Sequence, residues 1–240
     1  MTTVTTHNPA RADVVAGATG TDRTPRQSRS WAFAGIGAAL AGMGTVVTSG
    51  MVDVVYRDEF SHGSVDGVAE ALTDKTGVLF AFHSITTLGA VLMIVFGAGL
   101  FRRLRATMPD SIAPVVALVG LAGTGVVSLL GAGLDTEFMI AGLQDDMAVD
   151  DSSAAMYNHW IGTIPWLWTL VGLAGLAIFA AFRRGAAPRW LGLVGLVLGG
   201  LTLALGISPF EYMAGLTGVL WLLATAIGFT VGDKAFRAGR

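Results

Sequence analysis

Six apolar runs, each long enough to cross a bilayer as a helix, contain none of the chain's 15 basic and 17 acidic side chains. They cover residues 31–52, 78–101, 112–134, 160–182, 190–208 and 212–232. A hydrocarbon core about 30 Å thick takes ~20 helical residues at about 1.5 Å each. Soluble helices of that length would show a polar face. In lipid every backbone N–H and C=O must be paired within the protein, which leaves helices or a closed barrel. The alternating apolar and polar pattern of a barrel strand is absent, so the chain is expected to be an all-α, polytopic bundle of six transmembrane helices.

Charge sign sorts by side. Arg11, Arg23, Arg26, Arg29, Arg102, Arg103, Arg105, Arg183, Arg184, Arg189, Lys234, Arg237 and Arg240 all fall on one side of a six-span topology. The other side has Arg57 and Lys75 against thirteen carboxylates, twelve of them in segments 53–76 and 135–158. The positive-inside rule places both termini in the cytoplasm and the two acidic loops outside. A net charge of −2 gives no basic patch for nucleic acid.

Residues 1–30 and 233–240 read as cytoplasmic tails, the first of them disordered for want of any apolar periodicity. The apolar run from residue 31 is too long for a signal peptide and ends without a small-residue cleavage site, so it is expected to remain as an anchor. The chain has no cysteine, which excludes disulfides, thiolate metal sites and palmitoylation. Arginine outnumbers lysine thirteen to two in a Gly- and Ala-rich chain, a composition that points to a GC-rich bacterial genome.

Local patterns add detail. Gly35 with Ala39, Ala38 with Gly42, and Gly195 with Gly199 form small-residue notches suited to close helix contact. Ser208, Pro209 and Glu211 spell a capping box with proline at the first helical position. Helical spacing of Val65, Val68, Ala69 and Leu72 behind Ser64, and of Phe138, Met139, Leu143 and Met147, predicts two short helices lying on the outer surface. Tyr56, Tyr157, Tyr212, Trp160 and Trp166 are expected in an outer aromatic belt, and Trp31 and Trp190 in an inner one.

One constellation has chemistry in it. Thr45, Ser49 and Asp53 follow helical spacing on the first span; His83, Thr86 and Thr87 lie on the second; Thr124, Ser128, Asp135 and Glu137 on the third; His159 and Thr163 on the fourth. If these stripes face one another, the first four spans enclose a polar pocket open to the outside. His83, His159, Asp53 and Asp135 form a donor set that a divalent metal would accept, although no two share a fixed motif. His83 is the sole titratable side chain inside a run, with Asp135 or Asp53 as its expected partner; it would act as a pH switch or as hydrogen-bonded glue. A haem held by His83 and His159 ranks below these, because the two lie at different depths. The uncharged midplane and lack of an internal repeat disfavour an ion-coupled carrier, and no Gly-x-Ser-x-Gly elbow is present.

Segments HSITTLGAVLMIVFGAGLFRRLR (83–105) and GAGLDTEF (131–138) resemble a group of uncharacterised actinobacterial multi-pass membrane proteins. The resemblance covers the second and third spans and implies a helical bundle in the plasma membrane. It directs attention to His83, Asp135 and Glu137. The expected function is a non-enzymatic binding, sensory or accessory role, with a small molecule or another membrane protein as partner and no cofactor required. The alternative is a membrane-embedded, metal-dependent enzyme acting on a lipid or other apolar substrate at the outer leaflet.

Overall fold

The structure is a computed structural model, and residues 28–56, 64–144 and 149–231 are described. The tails, apart from residues 28–30, and Met147 lie outside them. Every regular element among the described residues is helical: α1 (Ser30–Val52), α2 (Val68–Thr73), α3 (Thr76–Arg105), α4 (Ala113–Ala141), α5 (Asp151–Thr163), a 3₁₀ turn (Ile164–Trp166), α6 (Thr169–Arg183), α7 (Arg189–Val194), a π-helical turn (Gly195–Gly199), α8 (Gly200–Ile207) and α9 (Met213–Val231). Grouped into rods, they make six helices long and apolar enough to cross a membrane.

The rods pack as a closed ring. α1 contacts α3, α3 contacts α4, α4 contacts α6, α6 contacts the α7–α8 rod, α8 contacts α9, and α9 returns to α1. At the arginine-rich end the ring is fastened by Arg29, whose guanidinium donates to the Thr230 carbonyl at 3.3 Å. Trp31 is not a belt residue. It is 4% exposed and wedged between Phe96 and Phe229, with ring centroids 5.6 and 5.5 Å away. The absence of a side chain at Gly99 makes room for it. Trp190, by contrast, is 45% exposed, as an interfacial residue should be.

α3 and α4 are longer than the apolar runs that predicted them. Their 30 and 29 residues span about 45 and 44 Å, against a hydrocarbon core of about 30 Å. Counting ~20 residues from Arg102 on α3 and from Ala113 on α4, the bilayer core ends near Phe82 and Ala132. The remaining turns stand above it and join α2 and α5 in a second apolar core of Val52, Val68, Leu72, Leu79, Met139 and Ile161. The acidic end is therefore a small packed cap over the bundle.

The cap is stitched between its loops. α2 starts at Val68, after Gly67 in the left-handed conformation (φ 83°). Its first amides are capped by Asp151, which accepts from Gly67 N at 3.1 Å and Ala69 N at 2.8 Å. Ser64, the cap expected from the sequence, lies too far upstream of that glycine turn and accepts from Asp66 N instead. The Ser208 box does not form either. Ser208 ends α8, donates to Leu205 O and accepts from Phe210 N. α9 begins only at Met213, two residues beyond Glu211.

Backbone contact holds the α7–α8 rod to α6. A Cβ on Gly175 would lie 2.6 Å from Gly199 Cα, and one on Gly172 2.6 Å from Leu203 N. Backbone atoms cannot swing aside as a side-chain tip can, so these glycines set the helix separation. The expected notch at Gly195 and Gly199 is an intramolecular contact, and it coincides with the π turn. Gly175→Ala is expected to cost about 1–3 kcal/mol, read as a lower thermal midpoint of the detergent-purified protein. Gly133→Ala, whose Cβ would meet nothing within 4 Å, should leave the midpoint in place.

Candidate functional site

Three places hold most of the polar side chains that the sequence singles out on the first four spans. The deepest is a stitched seam. Thr45 and Thr86 share a hydrogen bond of 3.0 Å across α1 and α3. Thr124 donates to Gly120 O, Ser128 to Thr124 O and Ser49 to Val46 O, each back onto its own helix. Thr45, Thr86 and Ser128 surround a void of about 10 Å³ closed by Pro165 and Trp168, barely the room of one water. Thr87 is half-buried on α3, one residue past the seam.

The second place lies under the cap, at the level where the bilayer core ends. His83 Nδ1 is 2.9 Å from Ala132 O and 3.3 Å from Asp135 Oδ2. The carbonyl can only accept, so Nδ1 carries a proton. The other carboxylate oxygen, Oδ1, accepts from Tyr157 at 2.7 Å. Asp135 is fully buried and the His83 side chain 29% exposed. Both oxygens of a buried carboxylate are thus served, by donors from two other helices. Tyr157 is held for this by stacking on Phe138, centroids 3.9 Å apart. It is 5% exposed and not in a belt.

Beside it, Asn158 closes the end of α1. Its Oδ1 accepts from Val54 N at 2.9 Å and Val55 N at 3.2 Å, and its Nδ2 donates to Val52 O at 3.2 Å. These are backbone groups left over where α1 stops, and Asn158 is fully buried in meeting them. Sequence reasoning missed both Tyr157 and Asn158. The signal available was two adjacent polar residues before His159 within a helix-compatible stretch.

The third place is a cavity of about 280 Å³ walled by Ser49, Asp53, Tyr56, Trp166, Tyr212 and Met213. Gly50 and Gly162 also line it, and their missing side chains create the space: a Cβ on Gly50 would meet nothing within 4 Å, and one on Gly162 only Asp53 Oδ2, at 3.9 Å. The cavity exists because the fourth rod is broken. Pro165 interrupts the helix in a 3₁₀ turn, which sets Trp166 in the wall. Trp168 repairs the break, its indole N–H donating to Pro165 O at 2.9 Å. Gly42 and Gly218 leave room for that indole.

The expected metal donors are not gathered. His83 and Asp135 are paired, whereas exposed His159 meets Tyr56, with Nδ1 to hydroxyl at 3.3 Å. Asp53 belongs to the cavity, and Glu137, two residues beyond Asp135 on α4, is exposed. Among the described residues no group of three or more His, Asp or Glu is placed to hold a metal ion.

Tyr157→Phe should destabilise the protein by about 1–3 kcal/mol, since it leaves a buried carboxylate oxygen without its donor. Tyr56→Phe, at a position 70% exposed, should have little effect. In a double-mutant cycle, Tyr157→Phe with Asp135→Asn should cost less than the sum of the two. Thermal or denaturant unfolding of the purified protein reads all of these. No family model, curated protein or solved structure matches the chain.

Proposed function

We propose that this protein is a non-enzymatic, multi-pass protein of a bacterial plasma membrane that binds a small ligand at its outer face. The observation that carries this reading is the cavity between α1, the 3₁₀ turn and α9. Its walls are largely apolar, with three aromatic residues and few polar groups, which is the composition of small-molecule sites. The orientation rests on charge: the arginine-rich end is cytoplasmic, with both termini, and the cap extracytoplasmic. The alternative of a metal-dependent enzyme has less support, because His83 and His159 are engaged by different partners, Asp135 and Tyr56.

A chain without cysteine offers a clean background for testing orientation. In intact cells a membrane-impermeant maleimide should label a Ser152→Cys variant and spare an Arg240→Cys variant until the membrane is opened. The reverse pattern would invert the topology. For ligand binding, mass spectrometry of small molecules co-purifying with the protein should find a species present in the native chain and absent from Gly162→Leu, in which the cavity is filled. Identical profiles from two folded proteins would sink the binding reading.

A further inference from the structure

The walls of the cavity also select a ligand chemistry, a step that rests on the cavity being a binding site. Asp53 is the sole carboxylate among the cavity's lining residues, and Tyr56, Trp166 and Tyr212 bring three aromatic rings to the same wall. Aromatic faces attract a cation through their quadrupole, most strongly where water is excluded. They are poor partners for a hard metal ion, since Ca²⁺ takes about 6–8 oxygen ligands and Mg²⁺ gives up its water reluctantly. One carboxylate among rings suits a weakly hydrated organic ammonium. The acidic loops would raise the local concentration of such cations.

A second charge adjoins the first. A recess of about 390 Å³ shares Gly50, Asp53 and Tyr56 with the cavity, and its further wall is Lys75. A ligand whose ammonium lies among the rings therefore has a cationic side chain waiting beside it for an anion. Ser49 and Asp53 lie at the cap end of α1 and Tyr212 just before α9 starts, so the site sits at the depth of lipid headgroups rather than in the hydrocarbon.

We infer that the cavity takes the ammonium end of a zwitterionic ammonium–phosphate, its cation held by Asp53 and the aromatic walls and its phosphate by Lys75. A phospholipid headgroup and a free phosphoammonium compound share this chemistry. The test uses the full chain in nanodiscs of phosphatidylglycerol, a lipid without an ammonium group. Calorimetric titrations would compare phosphocholine, choline and dimethylbutanol, the uncharged carbon analogue of choline.

Phosphocholine should bind, and Asp53→Asn should weaken it about tenfold or more. Lys75→Gln should weaken phosphocholine and leave choline unchanged, an effect that loss of fold would not produce. Discs doped with phosphatidylcholine should raise the apparent Kd for phosphocholine if the source is lipid, and leave it alone if the source is the free compound. Failure of every probe to bind the native chain overturns the inference. So does dimethylbutanol binding as well as choline; if Gly162→Leu abolishes that binding, the cavity still holds a ligand and only the charge selection falls.

Discussion

The hydrogen bond from the Trp168 indole to the Pro165 carbonyl, 2.9 Å long, allows the fourth rod to break. A proline in a helix removes one backbone donor and strands carbonyls that lipid cannot satisfy. Trp168 supplies a donor to the carbonyl of Pro165 itself, so the rod divides into α5 and α6 without an orphaned group at that carbonyl. The division gives α5 a course of its own. Tyr157 reaches Asp135, Asn158 reaches the end of α1, and Trp166 enters the cavity wall. The glycines at 42 and 218 belong to the same device, because the indole needs their space.

How far the chain could be read from its residues depends on which forces leave a linear trace. Bilayer thickness does, so the six spans are legible as charge-free runs. The ends of α3 and α4 are not, because hydropathy records where lipid stops and the helices continue into the cap as far as Thr76 and Ala141. The pairing of His83 with Asp135 was legible in outline, since an ionisable group in a span needs a partner. Tyr157 was not: by composition it is indistinguishable from a belt tyrosine such as Tyr56. Which stripes meet depends on helix rotation, which packing sets and residue spacing does not. Thr45 and Thr86 close a seam where an open pocket was expected, and a cavity of about 280 Å³ lies toward α9.

Asp135 shows how a carboxylate is kept inside a protein at tolerable cost. Each oxygen has a donor, one from α3 and one from α5, so its desolvation is offset by two hydrogen bonds from separate elements. The arrangement fixes three helices relative to one another at the junction between bundle and cap. It also orients His83 with Nε2 as the uncommitted nitrogen, so the imidazole keeps one hydrogen-bonding valence for whatever passes its exposed edge.

The division of apolar side chains into two clusters, one in the bundle and one in the cap, means that two different solvents stabilise one chain. The cap core is driven by exclusion from water and carries the heat-capacity signature of that process. Helices already surrounded by lipid tails gain nothing from hydrophobicity when they associate, and rely on fit between surfaces. Cold, urea and osmolytes act on water-exposed apolar surface. Cold and urea would loosen the cap while sparing the ring beneath it, and osmolytes would tighten it, so the cap is the part of the molecule that aqueous conditions can melt separately.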